Sequence, residues 1–289
     1  MTKELSPLFY FNLFPKRMIM DNVFLYKAID AALKAGEAIM DIYTDPQADF
    51  EVERKSDQSP LTKADRKAHS VITEILKETQ IPILSEEGES ILYEERKQYE
   101  WLWIVDPLDG TKEFIKRNGE FTVNIALIHR TKPMMGVVYL PVNKILYFGQ
   151  LELGAYKTEN IVNLDYLVNL EDIIDKSIQL PLQKNKTNTY VVAASRSHLS
   201  KETEEYINEL KTRYQAVKLV NVGSSIKICW VAEGIIDEYP RFAPTMEWDT
   251  AAGHALILSA RKKIIQAKNR DKSLIYNKED LLNPWFIVK

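Results

Sequence analysis

The spacing of hydrophobic residues predicts two helices near the start of the chain. Residues 21–43 place apolar side chains three or four positions apart, at Leu25, Ile29, Ala32, Gly36, Ile39 and Tyr43. This spacing predicts an amphipathic helix with Asp21 as its N-cap. A second helix follows Thr62 and Asp65, which form a capping pair by spacing, and it carries Ala68, Val71, Ile72, Ile75 and Leu76. Residues 1–20 are interpreted as an extension outside the main fold.

The middle of the chain has the pattern of β-strands. The apolar segments 81–84 and 101–105 are each followed by acidic residues. Segments 121–129, 133–140 and 144–151 are rich in β-branched and aromatic residues and are separated by short turns. Such spacing predicts an antiparallel meander.

The second half alternates between the two kinds of segment. Strands are predicted at 190–194, 217–220 and 235–239, and helices at 201–213, 224–232 and 250–259. Residues 159–189 show weaker periodicity, so the boundary between the halves is expected there. The sequence therefore predicts α/β architecture, with an α+β half at 21–165 and an α/β half at 186–289.

Composition narrows the class of protein. At 289 residues and 45% hydrophobic content, the chain can form a substantial core. A net charge of −3 gives no basic stripe for a nucleic acid polymer. One cysteine, Cys229, excludes an internal disulfide framework and fits a reducing compartment.

The first residues do not have the pattern of a membrane segment. The apolar run at 8–20 is interrupted by Pro15, and its basic residues follow the run instead of preceding it. We expect a cytoplasmic protein without an integral membrane segment, and peripheral contact with the inner membrane face stays open.

Two carboxylates in one loop suggest a metal site. Asp106 and Asp109 follow the strand-like segment 101–105 and precede Gly110 and Thr111. Carboxylates this close repel each other unless a cation lies between them, and hard oxygen ligands favour Mg²⁺ or Mn²⁺. An Asp-Gly pair is also ordinary turn chemistry, so this motif alone leaves both interpretations open.

Further acidic groups lie at similar places. Glu86 follows the strand-like segment 81–84, and Asp249 stands at the start of a helix. The alternatives are a solvated acidic turn for Glu86 and capping roles for Asp249 and Asp65. The loops 195–198 and 223–227, with Arg241, offer N–H groups, hydroxyls and cations that suit either an anion or the solvent.

Four motifs in order resemble a known family. They are SPLTKAD at 59–65, SEE at 85–87, DPLDGTKEF at 106–114 and WDTAAGHA at 248–255. Together they resemble the inositol monophosphatase superfamily of Mg²⁺-dependent, Li⁺-sensitive phosphatases. Lys112 and Glu113, with IKRNGEFTVNIALI, SRSH and GSSIK, look most like the bacterial 3′(2′),5′-bisphosphate nucleotidase branch of that superfamily. The similarity runs from about Ala28 to Phe286.

The resemblance implies a fold and a set of site residues. The implied fold is the five-layer αβαβα sandwich of the inositol monophosphatase and fructose-1,6-bisphosphatase type. The implied metal ligands are Glu86, Asp106, the Leu108 carbonyl, Asp109 and Asp249. Asp65 and Thr111 match the catalytic pair that orients and deprotonates water. The implied substrate-binding residues are Glu86, Asp109, Gly110, Thr111, Lys112, Ser197, His198, Ser224, Lys227, Arg241 and Asp249.

The implied activity is Mg²⁺-dependent removal of the 3′-phosphate from 3′-phosphoadenosine 5′-phosphate (adenosine 3′,5′-bisphosphate), a reaction of sulfur metabolism. The resemblance implies two or three Mg²⁺ ions, with Mn²⁺ as an alternative ion and inhibition by Li⁺ and Ca²⁺. It is compatible with a monomer or a homodimer. An inositol or sugar monophosphatase would share the metal site. A non-catalytic phospholigand-binding protein would be expected to lack Asp65, Thr111 or a metal carboxylate, and all are present.

The chain departs from the family after the predicted helix 250–259. The family usually turns on glycines there, whereas this chain has Ala260, Arg261, Lys262 and Lys263. The geometry of that turn is therefore left open.

Overall fold

The computed structural model describes residues 14–55, 59–183, 188–194 and 200–289, with side chains from residue 22 onward. The helices, in chain order, are α1 Phe14–Thr44, α2 Lys63–Lys77, α3 Tyr93–Arg96, α4 Thr111–Ile115, α5 Leu170–Asp175, α6 Lys201–Arg213, α7 Ile226–Glu233 and α8 Glu247–Ser259. The strands are β1 Glu53–Arg54, β2 Pro60–Leu61, β3 Ile83–Ser85, β4 Trp101–Asp109, β5 Thr122–His129, β6 Lys132–Leu140, β7 Ile145–Gln150, β8 Gly154–Glu159, β9 Ile178–Leu180, β10 Thr189–Ala193, β11 Ala216–Val220, β12 Tyr239–Arg241, β13 Ile264–Gln266 and β14 Phe286–Val288.

The central sheet of the described chain contains seven strands in the order β3-β4-β5-β6-β7-β8-β9. The β3 and β4 strands are parallel, and the remaining neighbours are antiparallel. The predicted antiparallel meander of β5, β6 and β7 is confirmed. Antiparallel neighbours need only a tight connection. The short turns between these strands therefore explain why strands that are consecutive in sequence lie side by side in the sheet.

Both faces of this sheet are covered by helices. In β5, Val123, Ile125 and Leu127 pack in one core with α1 and α2. Ala126 and Ile128 point the other way, into a core that also contains residues of α7 and α8. Side chains alternate between faces along a strand, so an almost continuous apolar run indicates a sheet that is buried on both sides.

A second layered unit lies on the far side of α8. Strands β12, β14 and β13 form a sheet in that order. Phe286 and Val288 of β14 pack in the core with α8, whereas Ile287 packs with Tyr206 and Leu210 of α6. The layers of the described chain are therefore helix, sheet, helix, sheet and helix. The predicted five-layer αβαβα sandwich is confirmed.

Small residues let α8 approach the sheet closely. A Cβ atom built on Gly136 of β6 would lie 2.2 Å from the Ala252 carbonyl oxygen of α8. A Cβ atom on Gly253 would lie 2.7 Å from Ile228 of α7. The segment 248–255 is rich in small residues because its helix packs with backbone against backbone.

The start of the first helix differs from the prediction. The α1 helix begins at Phe14, so Asp21 lies inside it and the N-cap predicted at Asp21 is wrong. Pro15 falls in the first turn, where its missing N–H group costs no hydrogen bond. No helix in the described part of the chain is both long and apolar enough to cross a membrane.

Other predicted boundaries also move, and the helix predicted from residue 250 begins at Glu247. The strand predicted at 101–105 continues to Asp109, and the helix predicted from residue 224 begins at Ile226. The strand predicted at 235–239 is wrong for most of its length, because β12 spans Tyr239–Arg241. Gly234 ends α7 in the left-handed conformation, and the residues after it form a connection that pairs with β10 at Glu238.

Arg261 makes the turn after α8, where the resemblance implied glycines. Its φ is +59°, in the left-handed region. The Arg261 N–H donates to the Leu258 carbonyl at 3.0 Å, and the Lys262 N–H donates to the Ile257 carbonyl at 2.9 Å. These two bonds form the Schellman motif that ends many helices. The turn is therefore made without glycine.

Candidate active site

The end of β4 is irregular, and this irregularity shapes the site. Asp106 pairs with Asn124 of β5, but Asp109 pairs with Thr122, so the register shifts between the two carboxylates. One extra residue on β4 makes a β-bulge, a feature that re-aims side chains next to functional sites. The strand ends at Asp109, and Gly110, with a φ of +96°, is the N-cap of α4. A Cβ atom at Gly110 would lie 3.0 Å from the Glu120 carbonyl oxygen, which favours glycine there.

Distant parts of the chain bring carboxylates together. Among the described residues, Glu86, Asp106 and Asp249 have oxygen atoms within 4.8 Å of one another. Glu86 follows β3, and its N–H donates to the Val105 carbonyl of β4 at 3.1 Å. Asp249 lies in the first turn of α8, where its Oδ2 accepts the Met246 N–H at 2.9 Å. The N-cap predicted at Asp249 is wrong, because the N-cap is Met246, but from the third helical position the Asp249 side chain accepts the N-cap N–H group. This capping contact and the place of Asp249 in the acidic group coexist.

The electrostatics of this group favour a cation. Asp106 is 1% exposed, and its pKa is raised well above the usual value by burial and by Glu86, Asp109 and Asp249. Burial and the neighbouring Asp109 raise the pKa of Asp249 to about 8. Burial also raises the pKa of Glu86, partly offset by Lys55. Such carboxylates are stabilised in the charged form by a nearby positive charge, and their oxygen atoms suit a hard divalent cation.

Asp109 lies beside the acidic group and has its own support. Its Oδ2 accepts the Ser225 N–H at 2.6 Å and the Ser225 hydroxyl at 2.8 Å. It also contributes to the raised pKa values of Asp106 and Asp249. Asp109 is thus close to the other carboxylates, but the hydrogen bonds that orient it come from Ser225, the N-cap of α7.

Asp65 uses its two carboxylate oxygens differently. Oδ2 accepts the Thr62 backbone N–H at 2.8 Å and belongs to the capping box of α2. Oδ1 accepts the Thr111 hydroxyl at 3.1 Å. The Thr111 hydroxyl also lies 3.3 Å from the Leu108 carbonyl oxygen. Burial raises the pKa of Asp65, although bonds from Thr62 and Thr111 lower it.

A cavity of about 640 Å³ adjoins these groups. Its lining contains the acidic residues Asp109 and Asp249, together with the cations Lys227 and Arg241. The further lining residues among those predicted are Gly110, Lys112 and Ser224. Oppositely charged groups around one polar cavity suit a ligand that needs both a metal and a cationic contact.

The cationic residues are partly engaged by the protein itself. The Lys227 ammonium donates to the Val222 carbonyl at 2.8 Å and to the Ser224 carbonyl at 2.9 Å. Burial and the nearby Arg241 lower the pKa of Lys227 to about 8. Within the described residues, the buried Nε of Arg241 and Oγ of Ser224 have no hydrogen-bond partner. The predicted residues Ser197 and His198 lie outside the described residues.

Three residues of the site were not among those predicted. Lys55 pairs with Glu86 at 2.7 Å and also contacts Glu87. Ser225 holds Asp109, and Asn124 donates to the Ser225 hydroxyl at 3.0 Å. The GSSIK segment was a signal for Ser225 and the IKRNGEFTVNIALI segment for Asn124. Lys55 carries no local signal, because its partners Glu86 and Glu87 are remote in sequence.

Comparisons with known proteins identify similar sequences. The model of the inositol monophosphatase family matches residues 21–282. The 3′(2′),5′-bisphosphate nucleotidase CysQ of Salmonella typhimurium (strain LT2) is 43% identical over 267 residues, which cover 91% of this chain and 98% of that protein. The protein of the same name from Escherichia coli (strain K12) is 42% identical over 260 residues, covering 89% and 96%.

Solved structures show the same relationship. The crystal structure of CysQ from Bacteroides thetaiotaomicron, described as a bacterial member of the inositol monophosphatase family, superposes with a TM-score of 0.86 at 58% identity. The matched region covers 93% of this chain and 97% of the Bacteroides thetaiotaomicron chain. The suhB protein of Bartonella henselae gives a TM-score of 0.68 at 25% identity, covering 90% and 92%. The fold, the ordered motifs and these matches place the chain in the inositol monophosphatase family.

Proposed function

We propose that the protein is a 3′(2′),5′-bisphosphate nucleotidase that removes the 3′-phosphate of 3′-phosphoadenosine 5′-phosphate to give AMP and phosphate. The observation that carries this proposal is the cavity lined by both the carboxylates Asp109 and Asp249 and the cations Lys227 and Arg241. A substrate with two separated phosphates needs both kinds of group. The names of the CysQ relatives support the same substrate class.

The carboxylates are proposed to hold Mg²⁺. Glu86, Asp106 and Asp249 would be ligands, with Asp109 and the Leu108 carbonyl completing the set. A bound divalent cation supplies a Lewis acid that neutralises phosphate charge and increases the acidity of water. The chain's own contribution is to hold these oxygen atoms close together against their mutual repulsion.

Thr111 and Asp65 are proposed to move the proton of the attacking water. The hydrogen bond from the Thr111 hydroxyl to Asp65 Oδ1 supports this role. Thr111 Oγ accepts a proton from water while its own proton passes to Asp65. The water oxygen bonds to phosphorus, the bond from phosphorus to the 3′-oxygen breaks, and that oxygen takes a proton from solvent water to become the 3′-hydroxyl. Asp65 then releases its proton to solvent, so no proton is gained or lost overall. The raised pKa of buried Asp65 makes it a better proton acceptor.

The remaining residues are proposed to hold the nucleotide. Gly110, Thr111 and Lys112 would contact the phosphate under attack, together with Glu86, Asp109 and Asp249. Ser224, Lys227 and Arg241 would hold the second phosphate, and Ser197 and His198 would contact the base. The buried, unpartnered Nε of Arg241 and Oγ of Ser224 support this assignment within the described residues.

A substrate panel tests the proposal. Phosphate release is measured with 3′-phosphoadenosine 5′-phosphate, inositol 1-phosphate and fructose 1,6-bisphosphate at equal concentration. The proposal expects the highest kcat/KM for the nucleotide. A higher value for inositol 1-phosphate would favour an inositol monophosphatase, and release from none would favour a phospholigand-binding protein.

A further inference from the structure

We infer that Ser225, oriented by Asn124, is a positioning residue that fixes the Asp109 carboxylate for a divalent cation. The inference rests on the proposed metal-dependent function and adds residues that act on the metal site through Asp109. It concerns a chain of buried polar side chains that runs from the central sheet to α7. Those side chains are Thr122, Asn124 and Ser225.

The contact between Ser225 and Asp109 is double. The backbone N–H and the hydroxyl of Ser225 both donate to Oδ2, at 2.6 Å and 2.8 Å. Two donors on one oxygen fix the plane of the carboxylate and leave its other oxygen for a different partner. Hydrogen bonds to a charged acceptor are shorter and stronger than neutral ones.

Asn124 determines where the Ser225 hydroxyl points. Thr122 donates to Asn124 Oδ1 at 3.0 Å, and Asn124 Nδ2 then donates to Ser225 Oγ at 3.0 Å. A serine hydroxyl has one proton, so an incoming bond at the oxygen leaves that proton for an acceptor. The acceptors within reach are Asp109 Oδ2 and the Asp249 carbonyl at 3.0 Å. The charged carboxylate is the stronger acceptor.

Burial makes this chain of bonds specific. Thr122 is fully buried, and Asn124 and Ser225 are 1% and 3% exposed. Buried polar groups that satisfy one another hold a single arrangement, since breaking one bond leaves another group unpaired. Asp109 belongs to β4, Asn124 to β5, and Ser225 is the N-cap of α7. The orientation of Asp109 therefore depends on how α7 docks on the sheet.

The test measures metal binding directly. Mn²⁺ is titrated into metal-free protein and free Mn²⁺ is followed by electron paramagnetic resonance, for wild type, Ser225→Ala and Ser225→Thr. We expect Ser225→Ala to weaken Mn²⁺ binding by about 10- to 100-fold, the range for residues that orient metal ligands. Ser225→Thr keeps the hydroxyl and is expected to retain most of the affinity. Thermal melting of the same samples shows that each variant is folded.

Ser259→Ala is the matched control. Ser259 is a buried serine whose hydroxyl donates to the Ala255 carbonyl within its own helix. We expect its Mn²⁺ affinity to equal that of wild type. An equal loss in Ser225→Ala and Ser259→Ala, or wild-type affinity in Ser225→Ala, would overturn the inference.

Asn124→Ala supplies a second variant that leaves Ser225 in place. It is expected to weaken Mn²⁺ binding less than Ser225→Ala, because the Ser225 N–H still holds Asp109. Unchanged affinity would remove Asn124 from the positioning role. Hydrolysis of 3′-phosphoadenosine 5′-phosphate by wild type is measured in parallel. If Ser225→Ala weakens Mn²⁺ binding as expected but wild type does not hydrolyse this nucleotide, the proposed function is rejected and this inference stands.

Discussion

Oδ1 of Asp65 accepts the hydroxyl of Thr111, and Oδ2 of the same carboxylate closes the capping box at the start of α2. One side chain thus links α2 to the start of α4. The capping interpretation and the catalytic one describe different oxygens of one group. Variants can therefore separate the two roles.

Thr111→Ala is expected to lower kcat by about 100-fold, the scale for losing general acid–base catalysis, with a small effect on stability. Thr62→Ala removes the capping hydroxyl and is expected to lower the free energy of unfolding by about 1 kcal/mol. Its kcat should fall less than that of Thr111→Ala. Steady-state kinetics and urea unfolding check both. A Thr111→Ala protein that unfolds more easily at wild-type kcat would leave Thr111 a structural role alone.

Arg241→Ala is expected to raise KM for 3′-phosphoadenosine 5′-phosphate by about 10- to 100-fold, which corresponds to a charge-assisted bond of roughly 1.5–3 kcal/mol. The KM for adenosine 3′-monophosphate should change much less, because its single phosphate is the one proposed to bind at the carboxylates. Arg241 donates from Nη2 to the Pro244 carbonyl at 3.1 Å, whereas the Lys227 ammonium is buried and donates to both the Val222 and Ser224 carbonyls. Arg241 is therefore the cleaner test of the two.

Lys218→Ala, an exposed lysine on β11, serves as the control for Arg241→Ala. Its KM for both substrates should match wild type. If Arg241→Ala harmed both substrates equally, the second-phosphate role of Arg241 would be rejected.

His254 makes stability depend on pH. It is 1% exposed and contacts the Tyr276 hydroxyl at 3.0 Å and the Ser273 hydroxyl at 3.2 Å. Burial lowers its pKa to about 3. The unfolded chain therefore binds a proton below about pH 6.5 that the folded protein rejects. Acidification through this window lowers the free energy of unfolding by about 1.4 kcal/mol per pH unit.

His254→Gln removes this contribution. Between about pH 7 and about pH 5, wild type should lose about 2 kcal/mol more stability than the variant, the integral of that slope below pH 6.5. Urea unfolding in EDTA at both pH values measures the difference. Equal losses in the two proteins would show that His254 does not stay neutral in the folded state.

Arg261→Gly is expected to raise the free energy of unfolding by about 1 kcal/mol, because glycine adopts the left-handed conformation without the strain of a side chain. Lys263→Gly, two residues later and outside the positive-φ positions, is the control and should lower stability by about 0.5–1 kcal/mol. Urea unfolding distinguishes them. A destabilised Arg261→Gly protein would mean that the arginine side chain stabilises this turn.

Local patterns predicted much of the fold. The α6 helix was predicted at its observed bounds, because its period, its N-cap Ser200 and the following strand are all encoded nearby. The meander of β5, β6 and β7 followed from short turns. The start of α1 was missed because Pro15 is compatible with a first helical turn, and a breaker residue alone does not mark where a helix begins.

The site was less accessible to sequence reasoning. The spacing in residues 106–111 indicated carboxylates at a strand end, but the bulge in β4 depends on pairing with β5. Ser225 and Asp109 are 116 positions apart, and Asn124 and Ser225 are 101 apart. Neither hydrophobic periodicity nor a helix-capping motif indicates contacts between residues this far apart in sequence. The role of Ser225 emerges only when α7 docks on the sheet.

The most direct measurement is the identity of the nucleotide formed from 3′-phosphoadenosine 5′-phosphate. Purified protein is incubated with the substrate in Mg²⁺ or in excess EDTA, and the products are separated by chromatography. The proposed function predicts AMP with its 5′-phosphate and one equivalent of phosphate in Mg²⁺, and no product in EDTA. Adenosine 3′-monophosphate as the product, or undiminished turnover in EDTA, would contradict it.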